Sequence, residues 1–409
     1  MHVILFCRSF PHHRPGGMEW HAQDVAEGLM AAGHTLSAIT TPLPATPALR
    51  ELKLNGRILV IGRKPGRYDA SMMFSGPAIR KFLSQTKPDI VHCQGFAGIL
   101  AQRTIPRGQP VCTSIHGTLF SETSMRPWSQ SPTQAPLGIA RANWKRLAGL
   151  PVWKKFLCSQ PQLIVDSAFT REELLRENGI ALEHVAVVPL GFDLARFPLS
   201  DRQASRSKWM GSFAPRVDGV TSSRPFIIVS VSRLEPIKRP QWILDAFVKC
   251  AARFPNAYLI MAGEGSVLAS LRATVTASGV QNRIAMPGKV GAADLPGLLE
   301  SADLFVNADH GAPAFGLANA EALVMGAPVL AVDTGAHREV ILGGEDGVLT
   351  PPDNQPAFVS AMSSQIATLS EGDPHRSDRM EKARGRFARA LMNSKLLRAY
   401  ENAIRSKPL

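Results

Sequence analysis

The chain has 409 residues, 45% hydrophobic and 19% charged, too long for one hydrophobic core and unlike a disordered or fibrous protein. Lys and Arg number 46 against 33 Asp and Glu, a formal charge of +13 that favours anionic partners: phosphorylated substrates, a nucleic acid or an acidic membrane surface. No apolar run reaches the roughly 18 residues of a membrane-spanning helix. Five scattered cysteines (Cys7, Cys93, Cys112, Cys158, Cys250) contain no CxxC pair, which argues against structural disulfides and a zinc site and fits a reducing cytoplasm.

MHVILFCRSF reads as a first buried strand, His2–Cys7, and not as a signal peptide. A helix follows with Ala22, Val25, Ala26 and Leu29 on one face, stopping at Gly33. Further strands are predicted at Thr35–Thr40, Ile58–Ile61, Asp89–His92, Pro110–Ile115, Leu163–Asp166 and Ala186–Val188. Residues 1–199 thus form a first domain, and Ser200–Arg224, rich in Ser, Arg, Gly and Pro, reads as a linker.

The second domain, 225–375, restarts with the β-branched run Pro225–Val231 and a helix burying Ile243, Ala246, Phe247, Cys250, Ala251 and Phe254. Strands at Ala257–Met261, Arg283–Met286, Asp303–Asn307 and Pro328–Val332 continue it. Strands alternating with helices imply βαβ units, so each half is expected to be a doubly wound parallel sheet. The tail, 376–409, reads as a helix packing back on the first domain through a stripe of Phe387, Leu391, Leu396 and Tyr400.

Ligands of open α/β sheets collect at the carboxyl ends of the strands, and three segments there carry candidate chemistry. Pro15-Gly16-Gly17-Met18-Glu19 opens the first helix, where paired glycines admit a ligand close to free N–H groups; a plain tight turn uses the same residues. Val231-Ser232-Arg233-Leu234-Glu235-Pro236-Ile237-Lys238 places a guanidinium fork and an ammonium in one loop, suited to a diphosphate or to ordinary solvent exposure. Phe315-Gly316-Leu317-Ala318-Asn319-Ala320-Glu321-Ala322 opens a helix whose dipole favours an anion. Within it Glu321, among small residues, suits a pair of vicinal hydroxyls or plain solvent.

Two other clusters carry weaker readings. His12, His13 and His21 near the first loop fit solvated side chains better than a metal site. The stretch Trp128–Phe156 interleaves Trp128, Trp144 and Trp153 with Arg141, Lys145, Arg146, Lys154 and Lys155. It suits either the headgroup region of an acidic membrane or a core-packed helix with solvated lysines.

Taken in order, these segments resemble glycosyltransferase family 4, the large retaining GT-B group. The resemblance runs through "PGGMEWHAQDVAEGLMAAGH", "KPDIVHCQG", "TSIHG", "VVPLGFDLARF", "VSRLEPIK", "MAGEG", "ADLFV", "FGLANAEALVMGAPVLA" and "TGAHREVI". It implies two Rossmann-like domains facing a central cleft, the first for the acceptor and the second for the donor. It also implies transfer of a hexosyl group, with retention, from a nucleotide-diphosphate sugar to a lipid-linked, lipopolysaccharide or exopolysaccharide-type acceptor. No metal or other cofactor and no nucleic acid is expected, and the place of work is the cytoplasm or the inner face of the cell membrane.

By the same resemblance, Gly16 and Gly17 lie near the donor diphosphate, and His116 contacts the donor sugar. Arg233 and Lys238 hold the diphosphate, backbone amides of Phe315, Gly316 and Leu317 approach sugar and phosphate, and Glu321 grips the ribose. One position departs: Pro313 stands where the family has the first glutamate of its E-x7-E motif, which binds sugar hydroxyls. Ser232 replaces the glycine that commonly precedes the loop arginine. Asp309 or His310 is a candidate substitute for the lost carboxylate. Otherwise the donor differs at that hydroxyl, or Pro313 marks a catalytically impaired nucleotide-sugar-binding subunit; separately, the alternative to a lipid-linked acceptor is a soluble transferase making a small glycoside or sugar phosphate.

Overall fold

The computed structural model describes residues 1–13, 16–43, 52–117, 151, 153–213 and 224–406. Two compact units emerge: the described residues of 1–117, 151–193 and 387–406 form one, and those of 194–386 the other.

The first unit is built on seven strands, β1 (His2–Phe6), β2 (Thr35–Thr40), β3 (Ile58–Val60), β4 (Ile90–Gln94), β5 (Val111–Ile115), β6 (Leu163–Val165) and β7 (Val185–Val187). They lie in the order β3-β2-β1-β4-β5-β6-β7, every pairing parallel. β1, β2, β4, β5 and β6 are buried over nearly their whole length, as a sheet covered on both faces requires, even where they carry Ser37, His92 or Thr113. Helix α1 (Gly17–Ala31) buries Ala22, Val25, Ala26 and Leu29 completely against β1 and β2, and ends where Gly33 takes φ +80°.

The second unit holds β8 (Phe226–Val231), β9 (Ala257–Ala262), β10 (Ile284–Gly288), β11 (Leu304–Asn307), β12 (Val329–Val332) and β13 (Gly347–Thr350), in the order β10-β9-β8-β11-β12-β13 and again all parallel. Its core packs Ile243, Phe247 and Cys250 of the helix Pro240–Ala251 against Phe358, Met362 and Ile366 of the helix Gln355–Ser370. Both sheets are the doubly wound α/β architecture expected. Most strands fall within a residue or two of their predicted bounds; β13, four residues opened by a glycine, escaped prediction.

Two expectations need correction. Ser200–Arg224 is not simply a linker, because residues 202–210 form the helix Arg202–Met210 and belong to the second unit. Arg206 donates to Asp303 at 2.8 Å and Arg202 donates to the same carboxylate at 2.7 Å, while Ser200 and Ser205 bond Glu300. Their composition is that of a linker, but their partners lie about a hundred residues away in sequence. Residues 214–223 lie outside the described part.

The tail is likewise not one helix but two, Arg376–Arg386 in the second unit and Arg389–Arg405 in the first. The stripe of the last helix is Met392, Leu396, Ala399, Tyr400 and Ala403, whereas Leu391 is exposed. Its crossing with α1 is close: a Cβ on Gly28 would lie 1.7 Å from Asn393 Nδ2.

Candidate active site

Where the order of a doubly wound sheet reverses, loops leave the carboxyl ends toward opposite faces and open a crevice that takes ligands. In the second sheet that point lies between β8 and β11, and the loops leaving them are Ser232–Arg239 and Ala308–Gly316. Arg233, Lys238, Phe315 and Gly316 all sit on these two loops.

The first loop is braced from β9. Leu234 N–H donates to Glu264 O at 2.8 Å and Glu235 N–H to Arg233 O at 2.9 Å. Glycines make the approach possible: a Cβ on Gly263, at φ +145°, would meet Ser232 O at 1.8 Å, and one on Gly265 would meet Leu234 O at 2.2 Å. Here "MAGEG" is a packing device that sets the arginine loop. Arg233 is left exposed at its tip, and Lys238 follows, its ammonium bonded to buried Asp309.

The second loop is tied to the first by His310 N–H donating to Ile237 O at 2.9 Å. Behind it, Thr334 Oγ1 donates to Asp309 O at 3.0 Å and Ala336 N–H to Pro313 O at 2.9 Å. Gly335 at φ +55° lies so close that a Cβ would sit 2.5 Å from the backbone N and O of Pro313. Pro313 therefore serves as a backbone strut here. Of the two candidates to replace the missing carboxylate, Asp309 is paired with Lys238, and His310 lies 3.3 Å from Asp353.

Gly316, at φ +93°, caps the helix Leu317–Val324 in a left-handed conformation that favours glycine. The first N–H groups of that helix have no acceptor within it, and half-buried Glu321 stands on its second turn. Beneath Gly316 lie buried Asn319 and His337; a Cβ on Gly316 would be 3.3 Å from Asn319 Nδ2 and from His337 Nε2. Neither nitrogen, nor Asp309 Oδ1, finds a partner among the described residues. Asn319 Oδ1 accepts from Asn307 at 3.0 Å and His337 Nδ1 meets Val332 O at 2.8 Å; burial lowers the pKa of His337.

In the first sheet the order reverses between β1 and β4. Gly16 and Gly17 open α1 there, but the crowding at Gly16 comes from within: a Cβ would meet Glu19 Oε2 at 2.4 Å. Buried Glu19 also accepts from Ser9 Oγ at 2.8 Å. A carboxylate thus already occupies the positive end of this helix, where the expected diphosphate was placed.

His116 follows β5, and its Nδ1 lies 2.9 and 3.0 Å from the two oxygens of Asp166, which follows β6. The ring of His21 packs edge to face against it, centroids 4.9 Å apart. His92 on β4 bridges Tyr400 Oη and Ser114 Oγ, each at 2.7 Å. His13, buried, accepts from Phe10 N–H at 3.0 Å and bonds Thr41 O at 2.9 Å. Against expectation, His13 and His21 are buried, not solvated; His12 is exposed.

The "Glycosyltransferase Family 4" profile matches residues 15–196, and the "Glycosyl transferases group 1" profile matches 216–386. Together they cover every strand of both sheets except β1. The chain belongs to glycosyltransferase family 4.

This family 4 glycosyltransferase is 24% identical over 399 residues to the phosphatidyl-myo-inositol mannosyltransferase of Mycolicibacterium smegmatis, covering 95% of this chain and 90% of that one. Its fold matches the crystal structure of Anabaena HepE in complex with UDP and glucose, with a TM-score of 0.73, 19% identity, and 98% and 99% of the two chains covered. It also matches WaaG, a glycosyltransferase involved in lipopolysaccharide biosynthesis, with a TM-score of 0.65, 14% identity, and 97% and 98% covered. The architecture is GT-B.

Sequence reasoning on this glycosyltransferase missed Asp166, Asn319, His337 and the neutral histidines. A polar residue just past an apolar strand was the available signal for Asp166. Burial holds His21 far below the usual histidine range and pushes His92 down to about 3. Both bind protons more weakly folded than unfolded, so the unfolded chain takes up protons first as pH falls below about 6.5. Their stabilisation is complete above that pH and is lost toward His92's folded value. For one such histidine the slope approaches that of a single proton, on the order of 1 kcal/mol per pH unit. Urea unfolding between pH 7.5 and 4.5 checks this: His92→Gln should flatten the dependence, and an unchanged slope would refute it.

The stretch Trp128–Phe156 lies mostly outside the described residues. Within them Trp153 and Phe156 are buried, their rings 5.4 Å apart, while Lys154 and Lys155 are exposed. Those four residues fit the core-packed reading.

Proposed function

We propose that the enzyme transfers a hexosyl group from a nucleotide-diphosphate sugar, with retention of configuration, to a lipid-linked or lipopolysaccharide-type acceptor. The observation that carries this reading is the joint presence of Arg233, Lys238 and the helix start at Gly316 on the two loops of one switch point. An exposed guanidinium, an ammonium and a set of free N–H groups suit an anion whose charge grows as the sugar's C1–O bond breaks. Glu321 grips the ribose. No protein base is needed, because the departing phosphate oxygen takes the acceptor's proton. HepE crystals hold UDP with glucose, which supports a nucleotide-sugar donor here.

A lipid acceptor is supported by the first unit's own surface as well as by the mannosyltransferase relative. Beside the carboxyl end of β4, Tyr68, Met72, Met73, Phe96, Leu100 and Arg103 line an apolar groove of about 300 Å³. Phe74, next to it in sequence, is 84% exposed. Between Gly56 and Gly108, nine Lys and Arg accompany two carboxylates, and Arg63, Lys64, Arg67, Arg80, Lys81 and Arg103 are exposed. An acidic phospholipid surface complements this charge, with exposed apolar side chains inserting among the lipids.

One assay tests both parts. UDP-, GDP- and ADP-sugars are offered with acceptor lipids in vesicles containing phosphatidylglycerol, following transfer and vesicle co-flotation at low and high salt. Turnover of one donor class, with binding that weakens at high salt, is expected. Donor binding without turnover on a panel containing the true acceptor would leave the impaired-subunit reading in its place.

A further inference from the structure

The family resemblance makes His116 a contact of the donor sugar, and its surroundings bear on where its proton sits. Ile115 and Val165 are paired in register on β5 and β6, so His116 and Asp166 leave neighbouring strand ends side by side. Their side chains are 7% and 5% exposed. An ionised carboxylate only accepts hydrogen bonds, so the proton between Nδ1 and Asp166 sits on Nδ1. Nε2 is buried and has no partner among the described residues. A buried polar atom left unpaired is costly, which points to a ligand group at that nitrogen.

Among the described residues, the other titratable groups facing the ring are His21 from α1 and His92 from β4. Burial drives both toward their neutral forms, so among the described residues the carboxylate in direct contact with the imidazole is Asp166.

We propose that Asp166 is a positioning residue: it holds His116 as the Nδ1–H tautomer and presents Nε2 as a hydrogen-bond acceptor for a hydroxyl of the donor sugar. This rests on the donor-sugar reading of His116 and deepens it, since a bare Nε2 selects a group that donates. A deoxy sugar leaves that nitrogen unpaired, and a carboxylate at the same position is repelled by its lone pair.

Full-length protein carrying ring-15N histidine reads the tautomer directly, by two-bond proton–nitrogen correlation at pH 7.5, with His116→Gln assigning the signals. Wild type should show a protonated Nδ1 and a bare Nε2. Asp166→Asn, whose amide donates as well as accepts, should mix or reverse the pattern, and Asp166→Ala should release it. In kinetics kcat falls about a hundredfold in Asp166→Ala, with donor KM changing much less. Circular dichroism confirms that each variant is folded. A wild-type His116 protonated on Nε2, or on both nitrogens, overturns the proposal; so does Asp166→Ala with unchanged tautomer and rate. If wild type turns over no donor in the panel, the proposed function fails, while the spectra still decide the tautomer.

Discussion

Replacing Arg233 with Ala should lower kcat/KM for glycosyl transfer by about 10²–10³-fold, the loss typical of one preorganised charge-stabilising donor, about 2.7–4 kcal/mol. The fold should not notice. Arg233 is exposed, and its loop is shaped by backbone bonds and by the close passes of Gly263 and Gly265. Because the guanidinium meets charge that develops as the bond to C1 breaks, kcat should fall along with kcat/KM. Arg233→Lys should recover only part of the rate, since an ammonium lacks the planar fork. Lys238 is a poorer probe, because its removal strands the buried carboxylate of Asp309 and mixes lost stability with lost catalysis. Steady-state kinetics with the productive donor decides the matter, and a rate within a few-fold of wild type would remove Arg233 from the donor site.

Asp303→Ala should destabilise the second unit by about 3–5 kcal/mol, the usual loss when one partner of a buried ion pair is removed. One oxygen of this carboxylate accepts from Arg202 at 2.7 Å and Arg224 at 2.8 Å. The other accepts from Arg206 and from Ile227 N–H, each at 2.8 Å. Arg206 is 6% exposed, so deleting its counter-charge leaves a guanidinium stranded away from water. Urea unfolding followed by circular dichroism measures the change; a loss below about 1 kcal/mol would mean that solvent screens the cluster as it screens a surface pair. The same contacts explain why the helix Arg202–Met210 went unread. Its charges have no local partners, so along the sequence it carries the composition of a linker.

Other misreadings share that cause. Leu391 was placed in the tail's buried stripe, but the turn after the helix Arg376–Arg386 resets the helical phase, and Met392 takes the inward position. His13 and His21 read as solvated because a short polar run looks alike whether it faces water or folds inward. Glu19 received no role in the sequence, and its folding back over Gly16 puts a carboxylate at the start of α1.

Periodicity by itself determined that this chain is an α/β protein with Arg233, Lys238 and Glu321 on loops or helix starts after strands, while the glycosyltransferase assignment came from the resemblance of its motifs to family 4. Those properties are local, since alternation, glycine punctuation and residue type are written along the chain. Strand order is not. Only the tertiary structure put β8 beside β11, which brings the Arg233 loop to the Gly316 helix, and β5 beside β6, which brings Asp166 to His116. It also decided that Pro313 is a strut and that Asp309 holds Lys238. Such pairings depend on which strands find one another across many residues, and the hydrophobic pattern of a buried parallel strand does not name its partner.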